Sequence, residues 1–147
     1  MSPFDWRSIV FAKHAQHVVL IHFPIALYLA AVGLDVLAQW LKKPEWGKAA
    51  FVNLTIAALF TVPTVLSGIA AWQLQLEGQR LKGILLYHLL SASAAVVFTV
   101  LSWWLHFRSR RDTSLSFDRT RTAIEIVGVF FIVLAGHLGG FLSGVNS

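Results

Sequence analysis

The chain has 147 residues, of which 56% are hydrophobic and 13% charged. With a mean hydropathy of +0.67 it has room for one domain and is too apolar for a water-soluble globule or a disordered segment. The net charge of +5 does not point to nucleic acid, because the cations flank apolar runs and form no basic groove; anionic lipid headgroups are the expected partner.

From the N-terminus, Ser2-Pro3-Phe4-Asp5 reads as a helix start, with a serine cap, proline at the first helical position and an acid in the first turn. Trp6, Ile9, Val10 and Phe11 beside Arg7, Ser8 and Lys13 predict a short amphipathic helix over about 3–15, lying in the membrane interface. The opening lacks the basic-then-apolar pattern of a signal peptide, so targeting by the spans themselves is expected. Four apolar spans are predicted at about 17–41, 48–75, 82–107 and 121–143, each reaching the ~20 residues that a helix needs to cross ~30 Å of hydrocarbon.

Pro24 and Pro63 each remove a backbone donor inside a span and predict local kinks or loosened turns. Lys43-Pro44-Glu45 breaks the chain between the first two spans, and Glu77-Gly78-Gln79-Arg80 separates the second from the third. The Ser/Arg/Asp-rich stretch 108–121 is the longest connection and is expected to be the most mobile. Spanning segments must satisfy their backbone hydrogen bonds internally. The expected fold is therefore all-α, a single-domain four-helix up-down transmembrane bundle with a short N-terminal interfacial helix.

The connections 42–48 and 106–121 carry eight Lys or Arg residues, whereas the other side carries four, Arg7, Lys13, Arg80 and Lys82. The positive-inside rule then places those two connections in the cytoplasm and both termini outside, toward the periplasm if the membrane is a bacterial inner membrane. The six tryptophans all fall near predicted span ends, as interfacial anchors do.

The chemistry-bearing residues are histidines. His22, His88 and His137 lie inside three different spans, where an ionisable ring is costly and marks a candidate site. Counted from the span ends, the three rings fall roughly 8–12 Å inside the same face of the membrane. Each has small neighbours: Ala26, Ala30 and Gly33 on the His22 face, Ser91, Ala92 and Ala95 after His88, and Gly136, Gly139 and Gly140 around His137. Small residues leave space for a flat macrocycle, and they equally suit close helix packing of the small-xxx-small kind. His14 and His17 lie at the interface, His17 being a further candidate ligand, and His106 is expected to be solvated beside Arg108.

Cysteine is absent, which excludes disulfides, thiolate metal sites, thioether-linked haem and Cys-ligated iron–sulfur clusters. Haem b suits the remaining donors, since two imidazoles from facing helices can clamp the iron axially, with the third His, His17, Arg80 or Lys82 receiving the propionates. A zinc or copper site on His22, His88 and His137 is the alternative, although no carboxylate accompanies them to orient the rings. Asp35 and Glu125 lie toward the other end and are expected to pair with Lys or Arg there, or to contact Asn53. No phosphate loop, nucleophile elbow or paired-carboxylate motif is present.

The segment His17-Val-Val-Leu-Ile-His22-Phe23-Pro24-Ile25-Ala26-Leu27 resembles the opening span of a bacterial membrane family catalogued as domain of unknown function 2231. Ser67-Gly68-Ile-Ala-Ala-Trp72, Lys82-Gly83 followed by His88, and Gly136-His137-Leu138-Gly139-Gly140 are similar to its later elements, in the same order. Val18 stands where that family commonly has proline after the first His. The resemblance implies a four-span membrane protein; similar domains occur beside Rieske-type and c-type cytochrome modules, which implies membrane redox work. Two functions are expected to compete: a small membrane cytochrome b passing electrons between an outer-side redox partner and the quinone pool or a larger complex, and a structural subunit without cofactor. A transporter is disfavoured, because the polar residues line no continuous path and the four spans show no inverted repeat.

Overall fold

The computed structural model describes residues 15–75, 77–78, 80–109 and 118–143. The interfacial helix expected over 3–15 lies, but for Ala15, outside these residues, as does the central part of the connection 108–121. The described residues form α1 (Ala15–Leu41), α2 (Pro44–Gln75), α3 (Gly83–Ser109) and α4 (Arg119–Leu142), all four long and apolar enough to cross a membrane.

Local chemistry sets the helix ends. Lys42 adopts a positive φ of 53°, and the following amide, Lys43 N–H, donates to the Ala38 carbonyl at 3.0 Å, the six-to-one bond of a Schellman stop. Pro44 then opens α2 as its first residue, four residues before the expected start. Proline has no amide proton to lose there, and its φ is already helical. At the head of α4, the Asp118 carboxylate accepts the Arg121 amide at 3.0 Å, an N-cap.

Cross-helix bonds show the up-down order. The start of α1 meets the end of α2 through His17 and Ser67, the end of α3 meets the start of α2 through Trp103 and Thr55, and the end of α3 meets the start of α4 through His106 and Glu125. Packing is closest within two hairpins, α1 with α2 and α3 with α4, and thinner where the hairpins meet, α2 on α3 and α1 on α4. One end of the bundle, here the terminal end, carries the start of α1 and the end of α4; the other, the basic end, carries the turn 42–43, the end of α3 and the start of α4.

The interior is small and polar, and the outside is greasy. Ser91, Ala95, Thr99, Ser102 and His106 form the buried stripe of α3, and Thr122, Glu125, Gly128, Ile132 and Ala135 that of α4. Large apolar side chains such as Leu59, Leu66, Leu90 and Phe130 are about 60% exposed, as expected where lipid is the surrounding solvent. Pro24 and Pro63 sit within continuous helices. The Leu20 carbonyl, which Pro24 cannot serve, lies 3.5 Å from the Thr64 hydroxyl of α2, whose proton goes at 2.8 Å to the Phe60 carbonyl of its own helix.

Tyr28 is the largest fully buried side chain. It crosses the bundle so that its hydroxyl lies 2.9 Å from Ser102 Oγ of α3 and donates to the Glu125 carbonyl of α4 at 3.3 Å. The hydroxyl occupies the space that a Cβ on Gly128 would need, so glycine at 128 is a steric requirement of the tyrosine. Gly128→Ala should cost about 1–3 kcal/mol by overpacking, measured by unfolding in detergent. Combining it with Tyr28→Phe should cost clearly less than the sum of the two; strict additivity would contradict the contact.

Candidate functional site

At the terminal end the structure brings together two of the four candidate histidines. His17 and His88 are both partly buried. They project from α1 and α3, helices that face each other across the diagonal of the bundle. His17 Nδ1 lies 2.8 Å from Ser67 Oγ, and the Ser67 hydroxyl donates its proton to the Thr64 carbonyl at 2.8 Å. With that proton engaged, the serine oxygen accepts, so Nδ1 carries the ring proton. His88 Nδ1 lies 3.0 Å from the Ala135 carbonyl of α4, which can only accept, and the same tautomer follows. Both rings therefore turn Nε2, with its lone pair, away from these anchors. This is the arrangement that prepares an imidazole to bind a metal.

Glycine backs each ring. A Cβ on Gly68 would come within 3.1 Å of His17 Cε1, and one on Gly139 within 3.2 Å of His88 Cε1. The small residues at these two points give the imidazoles room against the neighbouring helices.

His22 and His137 do not join the pair. His22 is exposed and returns its Nδ1 proton to the Val18 carbonyl of its own helix at 2.5 Å. His137 is exposed too, packs edge-on to Phe141 with ring centroids 5.0 Å apart, and lines an open apolar groove with Phe130, Val133 and Leu134. The reason is angular. Positions five apart on a helix, such as 17 and 22, point about 140° apart, and positions two apart point about 160° apart. His137 lies two from both Ala135 and Gly139, which face α3, so it must face lipid. Similar depth along the helices does not make the three rings converge.

The basic end holds a second buried constellation. Asp35, His106 and Glu125 are buried, and each offers a ligand atom within 4.8 Å of the others. His106 Nε2 lies 2.7 Å from Glu125 Oε1 and 3.8 Å from Asp35 Oδ1. Arg121 clasps Asp35 with two parallel bonds, Nε to Oδ2 at 3.1 Å and Nη2 to Oδ1 at 3.0 Å. Gln39 donates to Asp35 Oδ2 at 2.6 Å and accepts the Asp118 amide at 2.7 Å, tying the end of α1 to the head of α4. The pairing of an acid with an arginine is as the sequence suggested, but His106 is not solvated. It stands 18 residues after His88, about five full turns of helix, and so shares its inward face. That spacing was the signal available.

A family model described as "Predicted membrane protein (DUF2231)" matches residues 13–145. The chain belongs to the DUF2231 family. No curated protein and no solved structure matches it. The matched DUF2231 region takes in both constellations, from His17 to Gly139 at the terminal end and from Asp35 to Glu125 at the basic end.

Removing one partner of a buried ion pair strands the other. Arg121→Gln should therefore destabilise the bundle by about 3–5 kcal/mol, and pairing it with Asp35→Asn should recover part of that loss. A cost below about 1 kcal/mol, typical of exposed pairs, would contradict the buried geometry.

Proposed function

We propose that this multi-pass membrane protein is a small cytochrome b that takes haem b between His17 and His88 at the terminal end of the bundle. One observation carries the reading: two imidazoles on diagonally opposed helices, each with Nδ1 held against an oxygen of a neighbouring helix. That donor set fits haem b, which needs two axial nitrogens and no covalent link. Held by His17 and His88, haem would supply one-electron transfer. The chain's own part is to hold the rings and exclude water. Ser67 and Ala135 fix the imidazole planes, Gly68 and Gly139 clear their edges, and the two hairpins, thinly joined to each other, provide walls on either side. Arg80 and Lys82, both exposed at this end, are placed to meet propionates.

Two imidazoles without a carboxylate make a poorer zinc or copper site, so haem is favoured over those ions. The cation bias favours an outward-facing orientation for this end, toward the periplasm if the membrane is a bacterial inner membrane. Electrons would pass there between an outer-side redox protein and the quinone pool or a larger respiratory or photosynthetic complex.

Protein purified in detergent, or reconstituted with haem, should show a Soret band that sharpens on reduction. His17→Ala and His88→Ala should each abolish the low-spin spectrum, while His22→Ala and His137→Ala should leave it unchanged. A folded, colourless protein that takes up no haem would overturn the proposal and leave a structural subunit. A spectrum lost in His22→Ala or His137→Ala and retained in His17→Ala would overturn the ligand assignment.

A further inference from the structure

We infer that the basic end is a second, independent metal site, in which Asp35, His106 and Glu125 hold a divalent first-row transition ion. The site is assembled from three helices, α1, α3 and α4, so its geometry is a property of the fold and not of a loop. Its donor atoms all lie within 4.8 Å of one another, a spread that a small cation can gather with side-chain adjustment. One imidazole nitrogen with carboxylate oxygens suits Zn²⁺, Fe²⁺, Co²⁺ or Mn²⁺ better than Cu⁺, which prefers sulfur.

An orphan atom calls for a cation. Two buried carboxylates face one guanidinium, with a single imidazole between them, and one proton on His106 or Glu125 would balance that charge. The Glu125 side chain is fully buried, yet among the described residues Oε2 of the same carboxylate that faces His106 has no hydrogen-bond partner. A proton on His106 leaves Oε2 bare, and a proton on Oε2 leaves a buried donor without an acceptor; a cation gives that oxygen a partner.

Asp35 keeps capacity for it despite Arg121. Its Oδ2 accepts from both Gln39 and Arg121, but among the described residues Oδ1 accepts only from Arg121 Nη2 and stands 3.8 Å from His106 Nε2, leaving a lone pair on that side. The guanidinium then orients the ligating carboxylate, as outer partners of metal ligands do. Three protein donors leave at least one coordination position for water.

The test uses the full chain in detergent, treated with chelator and titrated with Zn²⁺ and separately with Co²⁺. Bound metal is counted by elemental analysis, and the Co²⁺ form is followed by its visible absorption. The expected result is one ion per chain and a raised unfolding temperature with Zn²⁺. Glu125→Gln and His106→Gln should each weaken binding by more than about tenfold and remove that thermal shift. His17→Ala and His88→Ala should leave both readouts unchanged, so the outcome is separate from the haem reading. His106→Gln, whose side-chain amide can still donate to Glu125 Oε1, guards against a glutamate variant that does not fold. Wild-type protein that binds no ion and shows no thermal shift would overturn the site, as would stoichiometric binding that survives Glu125→Gln or vanishes in His17→Ala.

Discussion

Most polar side chains that enter the hydrocarbon turn to partners inside the bundle, His22 and His137 excepted, and much of the structure follows from that constraint. Lipid offers no hydrogen bonds, so an unpaired polar atom there costs several kcal/mol. The chain responds by gathering its polar groups on inward stripes and leaving leucine, valine and phenylalanine outside. The α3 stripe, with Ser91, Thr99, Ser102 and His106 buried, shows the inversion most plainly. A water-soluble bundle would put those residues on its surface.

The stripes also explain the small residues. Helices that bring polar groups within hydrogen-bonding distance must approach closely, and glycine at the crossing points allows it. Gly128 makes way for the Tyr28 hydroxyl, Gly68 for the His17 ring and Gly139 for the His88 ring. Packing and ligand clearance are therefore one design here, not rival explanations of the same glycines.

Much of the fold was legible in the sequence. Four apolar runs of the right length and the turn residues between them locate the helices to within a few positions, Pro44 excepted, because proline both breaks a chain and starts a helix. The site was legible only in part. Residue counting locates a histidine along the membrane normal, and His22, His88 and His137 do share similar depth. It does not show which way a ring points, and a lone histidine is equally visible on either face. The cue was relative phase: His88 and His106 share a face with Ser91, Ala95 and Ser102, while His137 falls between two inward positions. His106 was missed because its nearness to Arg108 suggested water, whereas Glu125 of a different helix decides its surroundings. That contact spans 19 residues across a connection whose path the sequence does not reveal.

The most direct test of the account is the protonation pattern of the two paired rings. Nitrogen-15 NMR of ring-labelled, pigment-free protein in lipid, with His17 and His88 assigned by single substitution, reports which nitrogen carries the proton. The account predicts protonated Nδ1 and bare Nε2 at both positions. Protonated Nε2 at either one would show that its Nδ1 anchor is not formed and that the ligand pair is not prepared.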